Sequence, residues 1–135
     1  MAFYRGADCC ALVFDVNNLK SFEQLDNWRD EFLTQANARV VDSFPFILIG
    51  NKVDVDEGKR QITQKRAKQW ALDRGRIPYY ETSAKEGIHV VDAFMDMANC
   101  ALKKEVVDFD YDVVRVDQVN SQGAAGGSNL VGGCC

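Results

Sequence analysis

The chain has 135 residues, 47% of them hydrophobic and 27% charged, which is enough for one domain with a modest core and ordinary for a globular protein in water. No apolar run approaches the roughly 20 residues that span a bilayer, and the N-terminus lacks the basic start and apolar centre of a signal peptide, so the expected compartment is the cytosol. The net charge of −4 lies beyond residue 104, where Arg115 stands against Glu105, Asp108, Asp110, Asp112 and Asp117; a neutral body with an acidic tail excludes nucleic acid as a partner and offers no polybasic patch to anionic lipid.

In chain order, CCALVFDV at 9–16 is an apolar run suited to a parallel strand buried on both faces. A helix pattern follows. Ser21 and Gln24 have capping-box spacing, and Phe22, Leu25, Trp28, Phe32 and Ala36 recur at steps of three and four. FILIG at 46–50 predicts a second buried strand, and the polar stretch 51–61 contains the turn signal Asp56-Glu57-Gly58. A second helix is expected over about 63–73, burying Ala67, Trp70 and Ala71 and ending at Gly75. Past Pro78 a short third strand is predicted at about 79–82. A last helix over about 87–104 places Ile88, Val91, Phe94, Ala98 and Leu102 on one apolar face.

Strand and helix thus alternate, which implies an α/β fold, a parallel sheet with flanking helices. The expected division is a domain at 1–104 and a flexible acidic, Gly-rich tail at 105–135, since segments such as GAAGGSN cannot bury enough apolar surface to offset the cost of ordering. Cys9, Cys10 and Cys100 are read as small buried hydrophobes. With no CxxC pair and His89 the only histidine, a zinc site is not expected.

Ligands of open parallel sheets bind beyond the carboxyl ends of the strands. After the second strand stands Asn51-Lys52-Val53-Asp54, and after the third Ser83-Ala84-Lys85. These resemble the guanine-specificity motifs NKxD and SAK of the small GTPases. The chemistry is coherent. Guanine presents two adjacent donors, the ring N–H and the exocyclic amine, and the Asp54 carboxylate can accept both, an arrangement adenine cannot satisfy. The Ala84 N–H would meet the guanine keto oxygen, Asn51 would brace the two loops, and the stems of Lys52 and Lys85 would cover the base. A mismatched base leaves the polar groups of such a site unpaired, so rejection is strong.

The resemblance extends over nearly all of residues 2–104. AFYRGADCC looks like the stretch that leaves the second switch region, and WRDEF at 28–32, FPF at 44–46 and IPYYETSAKEG at 77–87 are similar to the late-endosome and vacuole branch of the Rab family. It implies the C-terminal half of a P-loop small GTPase G domain, with GTP or GDP as ligand and traffic to late endosome, lysosome or vacuole as role. The family also needs a GxxxxGK[ST] phosphate loop, a switch threonine and a DxxG segment. None is present, so the chain is expected to be N-terminally truncated, with magnesium required only in a full-length form. Gly58-Lys59 fails the phosphate-loop pattern, since Val53 stands five before Gly58 and Arg60 follows. Asp15, which could pass for a metal-binding aspartate, is read as a structural residue at a strand end, and His89 as a solvated side chain. No catalytic residue is assigned.

In the family's sheet, the strand at 9–16 pairs with a central strand that has no counterpart here, so an open edge liable to aggregation is expected. The chain ends in Gly132-Gly133-Cys134-Cys135, which resembles the double-cysteine terminus of Rab proteins. That implies two geranylgeranyl groups on Cys134 and Cys135, a pair that anchors stably where one chain does not. Cytosolic and peripheral-membrane location, a Rab escort protein, a GDP-dissociation inhibitor and effectors are implied likewise. The alternative is a catalytically inactive, membrane-tethered interaction fragment that competes for the prenylation machinery or effectors.

Overall fold

A computed structural model describes residues 4–36 and 44–103. Cys134, Cys135 and the proposed tail after 104 lie outside the described residues. Three strands, β1 (Cys10–Asp15), β2 (Phe46–Asn51) and β3 (Tyr79–Glu81), form a sheet in the order β1-β2-β3 with both pairings parallel. Helices α1 (Leu19–Glu23) and α2 (Leu25–Ala36) link the first pair, α3 (Gln64–Asp73) links the second, and α4 spans 90–103.

The sheet separates two apolar clusters. On one face Leu12, Phe14, Phe46 and Leu48 pack with Phe22, Leu25, Phe32 and Leu33 of α1 and α2 and with Ala67, Trp70 and Ala71 of α3. On the other, Ile47 and Ile49 meet Ala93 and Met97 of α4. Central β2 is buried from Phe46 to Gly50 because it is covered on both faces, as its uninterrupted apolar run requires. Asp26 clamps α2 to α3: both its oxygens accept from the Arg74 guanidinium, at 2.5 and 2.7 Å, and that group lies 4.1 Å over the Trp70 ring.

The expected fold class is reproduced, as are the approximate bounds of α3 and the stop at Gly75, which is left-handed; Thr63 proves to be its N-cap. Five expectations need correction. β1 is not buried on both faces: Leu12 and Phe14 are, but Val13 is 56% exposed, because β1 pairs with β2 alone among the described residues. Asn18, not Ser21, caps the first helix, since Asn18 is extended and its side chain accepts from the Ser21 N–H. The helix also breaks at Gln24, so the buried stripe of α2 runs through Leu25, Phe32 and Leu33 and leaves Trp28 exposed. In α4 the supposed inner face is the outer one. Val91, Phe94 and Leu102 are exposed while Ala93 is buried, because the close approach to Ile47 and Ile49 selects a small side chain. Cys9, Cys10 and Cys100 are half-buried rather than core residues, and burial with Cys9 alongside pushes the Cys10 thiol up to about 11.

Candidate guanine-recognition loops

Gly50 lies opposite Glu81 in the parallel register, so the chain leaves β2 and β3 side by side. The Thr82 N–H donates to the Gly50 carbonyl at 2.9 Å and the Val53 N–H to the Thr82 carbonyl at 3.2 Å, which carries the pairing past the strand ends. Asn51 Oδ1 then accepts from Thr82 Oγ1 at 3.1 Å and from the Ala84 N–H at 3.0 Å. One side-chain oxygen thus joins the two loops.

A second tie lies further out. The buried Ser83 hydroxyl donates to Asp54 Oδ1 at 2.6 Å and accepts from the Glu86 N–H at 3.1 Å. Ser83 and Ile88 exchange backbone hydrogen bonds, so 83–88 closes as a compact turn with left-handed Gly87 and His89 at its far end. His89 is exposed as expected, yet its Nδ1 lies 2.9 Å from the Glu81 carbonyl and must donate to it. Ser83 chiefly, then its own backbone N–H, Lys85 and Lys52, hold the Asp54 carboxyl below its usual range, so at neutral pH it is a carboxylate and accepts only.

The six predicted site residues therefore fall on two adjoining loops, with Asp54, Ala84 and Lys85 exposed at the rim. Exposed Asp54 has acceptor capacity beyond the Ser83 bond, which suits two neighbouring donors. The Ala84 N–H already serves Asn51, so a keto oxygen would share it.

Lys52 is left-handed, with φ of 68°, and its Nζ lies 2.8 Å from Asp15 Oδ2. Burial alone would raise the Asp15 carboxyl, but the bonds from Lys52 and Asn17 outweigh it and the net shift is downward. Beneath the loops Arg60 ion-pairs with Glu81, donates through Nε to the Ile62 carbonyl at 2.6 Å, and shares Glu81 with the Tyr79 hydroxyl.

Two concavities, of about 440 and 400 Å³, lie elsewhere. The first, along Pro78 and α4, is remote from the loops. The second is lined by Val16, Asn17, Val53, Val55, Glu57, Arg60 and Glu81, so it touches the first loop at Val53 but does not include Asp54, Ala84 or Lys85. Asp54, Ala84 and Lys85 are exposed, so any specificity among them would come from directed polar groups.

Motif reading missed Thr82, Asn17, Arg60 and Glu81 and treated Asp15 as merely structural. Position alone pointed to Asp15 and Asn17, which stand at the carboxyl end of a parallel strand as the two motifs do.

Residues 1–103 match the family model described as the Ras family. The chain is 53% identical to the Ras-related protein Rab7 of Cenchrus ciliaris, over all of this chain and 64% of that protein. It is 61% identical to the Ypt/Rab-type GTPase ypt7 of Pyricularia oryzae, over 78% of this chain and 51% of the relative. With the Ras-related protein RABG3f of Arabidopsis thaliana it shares 53% identity over 93% of this chain and 63% of the relative. The chain thus spans between half and two thirds of the length of these curated relatives. With a family match that takes in the whole sheet and both motif loops, the chain belongs to the Ras family, and its sequence is Rab7-like.

Proposed function

We propose that this chain carries the guanine-recognition half of a Rab-type small GTPase that regulates vesicle traffic to the late endosome, lysosome or vacuole. The observation that carries this reading is the Asn51 brace, one oxygen accepting from both Thr82 and Ala84, which with the Ser83–Asp54 hydrogen bond holds the Ala84 N–H and the Asp54 carboxylate on adjoining loops. Asp54 accepts the two guanine donors, the shared Ala84 N–H meets the keto oxygen, and the Lys52 and Lys85 stems cover the ring.

GTP or GDP, when bound, supplies the phosphate chemistry of the family; the residues named here act on the base alone. Among the described residues no three His, Cys, Asp or Glu side chains group to hold a metal. Two geranylgeranyl groups on Cys134 and Cys135 would provide peripheral membrane attachment, with an escort protein, a GDP-dissociation inhibitor and effectors as partners. No helix among the described residues is long and apolar enough to cross a membrane.

A second reading, a catalytically inactive interaction fragment, draws on the exposed stripe Val91, Phe94, Met95 and Leu102 of α4. The native protein, captured from its source, decides between them through its intact mass and the nucleotide released on denaturation. A species well above 15.1 kDa with stoichiometric GDP or GTP and two prenyl increments is expected for the GTPase; one near that mass without nucleotide overturns the first reading in favour of the second.

A further inference from the structure

Lys52 adopts a left-handed backbone, which a residue with a β-carbon enters only when its surroundings impose it. Two side chains at the carboxyl end of β1 do so. Asp15 Oδ2 takes the Lys52 ammonium at 2.8 Å, while Asn17 Nδ2 donates to the Lys52 carbonyl at 3.1 Å and to Asp15 Oδ1 at 3.2 Å. The Asn17 backbone N–H adds a bond to the same Asp15 oxygen at 2.9 Å, and the Asp15 N–H donates to Ser21 Oγ at 3.0 Å. Lys52 is therefore gripped at both its carbonyl and its ammonium.

The orientation of Asn17 is chemically determined. Turning its amide over would aim an oxygen at a carboxylate and a carbonyl, although as it stands Asn17 Oδ1 is buried without a partner. The Asp15 side chain is 21% exposed and that of Lys52 59%, so the anchor is the more sheltered partner and the lysine stem stays open to solvent.

We propose that Asp15 and Asn17 are positioning residues that hold Lys52 in its left-handed conformation and so pre-set the base-covering lysine of the guanine site. This rests on the base-recognition reading above. Pre-setting removes an ordering cost from binding, so its loss weakens affinity without touching the groups that discriminate the base.

The test uses the full 135-residue chain, kept dilute, with GMP and AMP as probes in NMR titrations. In wild type, Lys52 should give the strong intraresidue amide–Hα NOE of a positive φ and an ammonium resonance slowed by ion pairing. Asp15→Asn should lose both and weaken GMP binding roughly 5-fold, and in a Lys52→Ala background the same change should alter affinity less than about 2-fold. Asn17→Ala, which removes a neutral contact, should shift the Lys52 conformation in the same direction, and it serves if Asp15→Asn does not fold. Retention of the positive φ and the ammonium resonance in both variants overturns the proposal. So does an equal loss of GMP affinity with and without Lys52, which would mean a general role in loop folding. If wild type itself fails to distinguish GMP from AMP, base recognition fails, and the Lys52 conformational readouts alone decide the positioning.

Discussion

Asn51→Ala removes the oxygen that accepts from Thr82 Oγ1 and the Ala84 N–H. The two donors are not equally affected. Thr82 is 4% exposed, so its hydroxyl loses its acceptor in a place water reaches poorly, at about 1–3 kcal/mol, whereas exposed Ala84 can rehydrate at little cost. A net loss of about 2 kcal/mol is a large share of the roughly 5–15 kcal/mol that stabilises a domain. With urea m-values of about 1–3 kcal/mol/M, the midpoint should fall by on the order of 1 M at unchanged m. Asn51→Asp keeps the acceptor oxygen and should lose roughly half as much or less. The reasoning is refuted if Asn51→Ala loses under about 0.5 kcal/mol, or if the two substitutions cost the same.

Gly50→Ala should destabilise by about 1–3 kcal/mol in the same urea assay, because the added carbon would meet Tyr79 Oη at 2.7 Å and Phe14 Cζ and Val16 Cγ1 at 3.0 Å. For Glu81, burial raises the carboxyl but the bonds from Arg60 and Tyr79 outweigh it, so its folded value lies below the ordinary 4.5. Its contribution is therefore complete above that value and lost as pH falls through the folded one; Glu81→Gln should cost about 1–3 kcal/mol at pH 7, and the gap from wild type should narrow below about pH 4.5. Asp54→Asn replaces one acceptor with a donor, which matches the ring N–H and 2-keto oxygen of xanthine, so base preference in competition titrations should shift from guanine toward xanthine. Val13→Lys puts a charge on the open, 56% exposed flank of β1 and should lower light scattering on concentration with little change in the urea midpoint.

The fold was legible where local and tertiary demands agree. FILIG read as a buried strand, and Ala67, Trp70, Ala71 and Gly75 marked α3 by stripe and stop. Helix α4 misled because it is apolar on two sides, and periodicity cannot say which meets the sheet; the small size of Ala93 decides that, and only in the presence of Ile47 and Ile49. The Ser21 cap misled because serine and asparagine compete for one N-terminus, and Asn18 sits earlier while the Ser21 hydroxyl turns to the Asn18 carbonyl at 2.7 Å.

In the candidate site, NKxD and SAK could be read as adjacent because each follows a strand of one parallel sheet. The supporting contacts could not. Arg60 and Glu81 are 21 positions apart, and Asn17 and Lys52 are 35 apart; such pairings carry no local spacing and exist only once the strands are in register.

The central claim is that the two loops recognise guanine together, and the most direct measurement is a backbone amide titration of the chain with guanosine and adenosine nucleotides side by side. Two charge-assisted bonds at about 1.5–3 kcal/mol each offset only the low end of an association cost of about 4–15 kcal/mol, so the dissociation constant should be about 1 mM or weaker. The account predicts saturable shifts confined to 51–54 and 83–85 with guanosine nucleotide and none with adenosine nucleotide. Equal shifts with both, or guanosine shifts clustered away from these loops, would contradict it.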